Sequence, residues 1–443
     1  MRLPRYLSKK NILTGFMVMF MAIGPFSVTE FNKINILLIF FASSITIFLC
    51  LLLGGKIKLL KFSTIPSSLY LFSFIVSLFA IILTREQLTG EFVSSVIFGR
   101  IFTFVTVIFT MMIINSWLAY ADESELIRSL KVAFFTGLLF VLLGHWQFVG
   151  NMLGFPFFIE TRDWMHGVPS AIRSVVPKRL TSIAEEPNYL SPLLIEFLLL
   201  SSVLIASSKK KLFAYFLGGF VVVFSFSGGV YVNMMLILII IGALSLYRSL
   251  VSGYLKGKDI LFIILALLGL GILLSVGDIL LEFLYYKFQG EAAGKSARSQ
   301  FLSSLGILIS QSSFLELLVG HGMATMSVLP EFGLAKEEFL FRITNNFYLD
   351  MIWEGGFIGL ACIIFFLGYL IYFGLKNYLF NKYYELGLLL SLHLSITCLY
   401  RSEYLSPHFL WVVSLIFICY RIGMFQTARD YNSKEDSKNF SKV

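Results

Sequence analysis

Residues 179–196 read RLTSIAEEPNYLSPLLIE and join a charged approach to the start of a long apolar helix. Pro187 suits the first position of a helix, because its missing N–H would have no partner there. The preceding pair, Glu185 and Glu186, then lies at the positive end of the helix dipole. The stretch therefore predicts two carboxylates at the edge of a membrane span.

The composition assigns the chain to the integral membrane proteins. Of its 443 residues, 57% are hydrophobic and only 14% are charged, which is more apolar surface than a soluble protein can bury. In a soluble protein the net charge of +9 would suggest a nucleic-acid partner. In a membrane protein the positions of Lys and Arg indicate first which side of the bilayer each loop occupies. We expect an all-α, multi-pass protein with no nucleic-acid partner, and the cysteines and histidines show no metal-ligand spacing.

Apolar runs of about 17 to 25 residues predict twelve transmembrane helices. They cover residues 11–28, 34–53, 66–84, 92–118, 129–149, 187–207, 212–227, 230–247, 260–276, 347–373, 384–400 and 406–424. An even number places both termini on one side. Most basic residues outside the long loops fall in alternate connections on that side, so both termini are expected in the cytoplasm.

Two long loops face the other side, at about residues 150–186 and 277–346. Within the second loop, residues 296–320 carry apolar residues at helical spacing, which predicts a helix lying on the outer membrane surface. The organisation expected is one transmembrane domain over residues 1–426, followed by a disordered cytoplasmic tail over 427–443.

A second stretch, TNNFYLDMIWEGGFIG at residues 344–359, also opens a long apolar helix with polar groups. Asn346, Asp350 and Glu354 recur at every fourth residue, which puts them on one helix face about 6 Å apart. Because a carboxylate inside a bilayer is costly, this face should line a wet cavity or the bundle interior. Helix-dipole stabilisation is the plainer explanation for Asp350, but it does not extend to Glu354, two turns in.

Arginines in the external loops are candidate anion ligands, because the planar guanidinium gives two parallel hydrogen bonds to a phosphate. The alternative for each one is a simple contact with lipid phosphates. The candidates are Arg173, Arg179, Arg298 and Arg342.

Two charges within spans are expected to pair. Arg100 and Glu196 lie at similar predicted depth, so we predict an intramembrane ion pair between them. His145, His393 and His408 fall in or at the ends of spans and are expected to be structural. His166 and His321 lie in the loops and are expected to be exposed enough to titrate.

Taken together, these segments resemble the O-antigen polymerase and ligase superfamily of bacterial polysaccharide assembly, the Wzy type. That pattern has an Arg before an (E)PN motif, an S-G turn, an Arg in the large external loop, a G-x-G, a polar pair and E-x-G-x-x-G. The matching residues are Arg179 with Glu186-Pro187-Asn188, Ser227-Gly228-Gly229, Arg298, Gly320-His321-Gly322, Asn345-Asn346, and Glu354-Gly355-Gly356 with Gly359.

The resemblance implies transfer of an undecaprenyl-diphosphate-linked glycan onto a sugar hydroxyl, outside the cytoplasmic membrane and without metal or cofactor. It assigns Arg179 and Arg298 to the diphosphate and Glu186 to the acceptor hydroxyl. Asp350 and Glu354 complete the expected catalytic set. The expected substrate-binding residues are Arg100, Arg173, Asn188, His321, Arg342, Asn345 and Asn346.

The product implied is O-antigen of lipopolysaccharide, capsule or exopolysaccharide, with a flippase and a chain-length regulator as partners alongside membrane lipids. Asn345 departs from the ligase-like pattern, which has His there, and this favours a polymerase. An amide is not a general base, so Glu186, Asp350 or His321 would take that role. A ligase and a lipid-linked oligosaccharide flippase remain the alternatives, although transporters commonly have paired halves and short loops.

Overall fold

The computed structural model describes residues 8–54, 58–83, 97–154, 179–252, 305–327, 344, 346–402 and 405–440. Every regular element in these ranges is helical. The helices are α1 Lys9–Ile23, α2 Asn32–Leu52, α3 Lys61–Ala80, α4 Phe98–Tyr120, α5 Glu123–Leu153, α6 Pro187–Leu204, α7 Ser208–Phe224, α8 Gly228–Ser252, α9 Phe314–Val319, α10 Phe347–Asn377, α11 Lys382–Thr397 and α12 Pro407–Phe440. Short 3₁₀ helices follow α1 and α9, at Gly24–Val28 and Thr325–Ser327, and a further helical segment covers residues 305–311.

Nine helices within the described ranges are long and apolar enough to cross a membrane. This confirms a multi-pass helical membrane protein. Helices α7 and α11 also coincide with predicted spans, but they have only 17 and 16 residues. The predicted span over 260–276 lies outside the described residues, so the total of twelve stays a prediction.

Helices α12 and α6 form the centre of the bundle. In the most apolar stretch of each, 83% and 72% of the residues are buried, whereas the values for α8 and α2 are 22% and 28%. Residues on those outer helices are apolar and exposed, as expected for surfaces that face lipid. Residues 190–201 of α6 are all buried, so protein surrounds the middle of this helix.

One end of the bundle, which we call the basic end, is held by ion pairs. Lys10 contacts Asp122 at 2.7 Å and Glu125 at 2.9 Å, and Arg248 contacts Glu385 at 2.8 Å. Asp122 also caps α5 through a capping box with Glu125. The hydrogen bond from Lys10 holds the pKa of Asp122 well below its ordinary value.

The opposite end, which we call the motif end, holds the starts of α6, α8 and α10. Among the described residues, its Lys and Arg are Lys33, Arg100, Arg179 and Arg401. By the positive-inside tendency, this charge difference predicts that the basic end faces the cytoplasm.

Two segments differ from the sequence prediction. The expected surface helix over 296–320 is interrupted: helix 305–311 ends and α9 begins anew, because Ser313 forms a capping box with Glu316. Helix α12 continues to Phe440, through most of the tail for which composition predicted disorder. Within this tail Ala428, Arg429, Lys434, Glu435 and Lys438 are good helix formers, and they extend a helix already fixed by the core.

Candidate functional site

The start of α6 has the geometry that its sequence predicts. Glu186 is the N-cap residue in extended backbone, with φ −141° and ψ 154°, and Pro187 follows at the first helical position. The backbone N–H of Glu185 donates to the carbonyl of Val28 at 3.0 Å, which ties this segment to the end of the 3₁₀ helix that follows α1. Two carboxyl groups thus stand at the positive end of the α6 dipole.

Arg179 and the α7–α8 turn meet beside this helix start. The guanidinium of Arg179 donates from Nε to the carbonyl of Ser225 at 3.2 Å, and from Nη2 to that of Phe226 at 2.9 Å. The Ser227 hydroxyl donates to Oδ1 of Asn188 at 2.6 Å. The first two motif segments, widely separated in sequence, therefore lie in direct contact.

The ring of Tyr400 leaves no room for a side chain at Gly229, the second glycine of that turn. A Cβ placed on it would lie 2.8 Å from the ring of Tyr400, far inside normal contact distance. Tyr400 follows α11, so the turn after α7 packs on the connection between α11 and α12. A side chain at position 229 would push these two segments apart.

The segments Gly320-His321-Gly322 and Glu354-Gly355-Gly356 also meet. Backbone N–H groups of His321 and Gly322 donate to the carbonyls of Trp353 and Glu354, at 2.7 and 3.1 Å. A Cβ on Gly320 or on Gly356 would come within 2.5 Å of the backbone of the other segment. Both glycines have positive φ, 86° and 61°, and the helical path of α10 is broken at Gly356.

Glu354 and Asp350 each fix a backbone segment. Oε1 of Glu354 accepts from the N–H of Ala324 at 2.9 Å, and Oδ1 of Asp350 accepts from the N–H of Thr344 at 2.7 Å. Both side chains are nearly fully buried, at 2% and 1% exposure. Asn346 caps α10 by accepting from the N–H groups of Tyr348 and Leu349. Asp350 and Glu354 therefore lie in the bundle interior, where they fix the loop that precedes α10 and the loop that docks on it. Asn346 is half-buried and lies in extended backbone just before the helix, so it does not share their helix face as predicted.

The predicted pair between Arg100 and Glu196 is wrong. Both carboxylate oxygens of Glu196 face histidines, His393 at 3.3 Å and His408 at 3.0 Å. Arg100 is the third residue of α4 as described, and it acts electrostatically on Asp350. Depth counted along two separate helices does not determine which helices are neighbours.

Arg401 is a buried residue of the motif end that sequence reasoning missed. It is 5% exposed, donates from Nη1 to the carbonyl of Tyr189 at 3.1 Å, and its guanidinium lies 4.3 Å from the centre of the Tyr189 ring. Burial lowers the pKa of Arg401 to about 10, while Tyr189, Tyr400, Glu196 and Glu185 favour its charged form. It therefore stays a cation at neutral pH, beside the start of α6.

The connection between α11 and α12 joins the two groups of motif residues. Arg401 contacts α6, and Ser402 lies next to Asp350 of α10. The carbonyl of Cys398 accepts from the N–H of Phe347 at 2.9 Å, which ties the start of α10 to the end of α11. The sequence indicates this connection only by an arginine, Arg401, between two predicted spans.

His321 is less accessible than its loop position predicted. Its side chain is 16% exposed, it stacks on Trp353 with ring centres 4.0 Å apart, and Nε2 lies 2.9 Å from the Ser312 hydroxyl. Burial lowers the pKa of His321 from the ordinary 6.5, and the nearby Glu316 carboxylate offsets only part of this effect. The docked loop therefore favours the neutral imidazole.

This lowered pKa predicts that acid loosens the docked loop. The undocked loop binds a proton more readily than the docked one, so docking should weaken as pH falls below 6.5. Hydrogen exchange at the N–H groups of residues 321–324, corrected for the intrinsic pH effect, should show this loss. His321→Phe keeps a ring on Trp353 but carries no proton, so its protection should not change with pH. The same pH dependence in both proteins would contradict the prediction.

Several predicted site residues lie outside the described residues. They are Arg173, Arg298, Arg342 and Asn345, so the second arginine of the expected diphosphate clamp is among them. His166, the other loop histidine expected to titrate, also lies outside the described residues. The described part of the chain contains no group of three or more His, Cys, Asp or Glu side chains placed to hold a metal ion.

Comparisons with known protein families, with curated proteins and with solved structures find no match to this chain.

Proposed function

We propose that this protein polymerises undecaprenyl-diphosphate-linked oligosaccharide repeat units on the external face of the cytoplasmic membrane. The observation that carries the proposal is the meeting of distant motif segments at one end of the bundle. Arg179 and Asn188 contact the turn at 225–229, and residues 320–322 dock on residues 354–356. The matched residues that the structure describes, which do not include Arg298 and Asn345, thus lie at one end of the bundle.

In the proposed reaction, an acceptor sugar hydroxyl attacks the anomeric carbon of the lipid-linked glycan. The bond from that carbon to the diphosphate oxygen breaks, and undecaprenyl diphosphate leaves with the bonding electron pair. Arg179 and Arg298 stabilise the charge that develops on the diphosphate, and Glu186 receives the hydroxyl proton. The contacts of Arg179 with two carbonyls fix the plane of its guanidinium beside the start of α6.

A flippase for the same lipid-linked oligosaccharide is the second candidate. The observation that favours it is the fully buried cluster of Glu196, His393 and His408, because ionisable groups inside a membrane bundle often mark a transport path. A ligase shares the donor chemistry, and only the acceptor distinguishes it from a polymerase.

Reconstitution of the purified protein separates these functions. Liposomes containing undecaprenyl-diphosphate-linked single repeat units should produce a ladder of longer lipid-linked chains and release undecaprenyl diphosphate. Movement of intact single units across the bilayer without chain growth would indicate a flippase. Growth only when a different acceptor lipid is supplied would indicate a ligase.

A further inference from the structure

Glu196, His393 and His408 meet deep between α6, α11 and α12, and the proposed reaction uses none of them. Nε2 of His408 lies 3.0 Å from one carboxylate oxygen of Glu196, and Nε2 of His393 lies 3.3 Å from the other. Each side chain is about 1% exposed. Because an ionised carboxylate only accepts hydrogen bonds, each of these two ring nitrogens carries a proton.

Asn233 of α8 contacts the second ring nitrogen of His393. Its Oδ1 lies 3.3 Å from Nδ1 of His393, and its Nδ2 lies 3.0 Å from both the Thr397 and the Tyr400 hydroxyls. With the amide in this orientation, Nδ1 must donate to an oxygen, so His393 carries protons on both nitrogens and is a cation.

Turning the amide of Asn233 by half a turn gives the other protonation state. The amide NH₂ then donates to Nδ1, which accepts without a proton, and the amide oxygen accepts from the Thr397 and Tyr400 hydroxyls. Every contact of the amide is satisfied in both orientations. The two arrangements differ by one proton and by no lost hydrogen bond of Asn233, so the change of charge leaves no polar group of the amide unsatisfied.

We infer that His393, held between Glu196 and Asn233, is a buried proton-binding site that takes up one proton as the Asn233 amide turns. The titratable or charged groups around it are Glu196 from α6, His408 from α12, and Tyr400 and Arg401 from the connection after α11. From α10, Tyr348 donates to the carbonyl of Ser395, two residues along from His393. Arg401 and Glu196 also attract each other electrostatically.

The site is connected to the motif end through Tyr400. Its hydroxyl contacts Asn233, and its ring lies against Gly229 in the turn whose Ser227 bonds Asn188. Protonation of His393 is therefore structurally linked to the turn beside Arg179. This inference does not depend on the chemistry proposed for that end.

Infrared difference spectra between pH 8 and pH 5, on the full chain in lipid nanodiscs with ring-labelled histidine, test the assignment. The wild-type protein should convert one more neutral imidazole to imidazolium than His393→Gln does. Asn233→Asp keeps all five histidines but places a second carboxylate against Nδ1, so it should hold His393 charged throughout and also convert one ring fewer. This variant decides the question if His393→Gln does not fold.

Tyr400→Phe is the matched control, because it keeps the ring against Gly229 and leaves Thr397 to contact the amide. It should convert as many rings as the wild type. Equal conversion in wild type, His393→Gln and Asn233→Asp would overturn the inference. Loss of conversion in Tyr400→Phe would also overturn it, because Thr397 alone should satisfy the amide in both orientations.

Discussion

Gly356→Ala is expected to remove most of the folded protein. Gly356 has φ 61° and ψ −163°, a region that residues with a side chain hardly ever occupy. A Cβ there would also lie 2.5 Å from backbone atoms of Gly320 and Leu318, which are too rigid to move aside. Strain and overlap together should lower the free energy of unfolding by about 2–5 kcal/mol.

Gly368→Ala is the matched control for this change, on the same helix. A Cβ at Gly368 meets nothing within 4 Å and its backbone has no positive φ, so the substitution should be neutral or slightly stabilising. The measurement is the thermal midpoint and the yield of monodisperse protein in detergent. Equal midpoints for Gly356→Ala and Gly368→Ala would show that the 320–322 loop does not dock on α10 as described.

Arg179→Ala is expected to abolish polymer while the protein remains at its normal level in the membrane. Removing a cation that stabilises developing charge typically lowers the rate by about 100-fold or more. Arg179→Lys should also lose most activity. One ammonium cannot reproduce the planar contact with the Ser225 and Phe226 carbonyls while also binding a diphosphate in two places. Arg298→Ala should behave as Arg179→Ala does, if the second arginine completes the clamp.

Arg248→Ala is the control for loss of positive charge. Arg248 pairs with Glu385 at the basic end, remote from the motif residues, and its removal should leave polymer unchanged. Surface glycan length and the membrane level of each protein are the quantities to compare. Polymer of ordinary amount in Arg179→Ala would exclude the diphosphate role. A fall in the membrane level of Arg179→Ala would instead assign Arg179 to holding the α7–α8 turn.

The elements that could be predicted from sequence are those fixed by local physics. The apolar runs predicted where the membrane helices lie, and Pro187 predicted the start of α6 correctly, because both depend on a single segment. The glycines of residues 320–322 and 354–356 match the pattern of the O-antigen polymerase and ligase superfamily. Their mutual contact could not be predicted from composition, since it depends on two backbones approaching within a distance that only glycine permits.

The contacts between helices were not predictable from the sequence. Depth alone predicts a pair between Glu196 and Arg100, whereas the packing of α6 against α11 and α12 gives Glu196 two histidines that the sequence indicates only as structural residues. Arg401 was overlooked because its short connection has no motif, although it contacts the start of α6. In each case the missing information was which helices are neighbours, and no periodicity in a single helix contains it.

The most direct test of the proposed function uses cells that lack this protein. Undecaprenyl-linked intermediates and surface glycan would be extracted, and the face of the cytoplasmic membrane that holds the intermediates determined. We expect single repeat units on the outer face, with surface glycan one unit long or absent. Single units confined to the inner face, or long lipid-linked chains on the outer face, would contradict a polymerase, because these outcomes indicate a flippase and a ligase respectively.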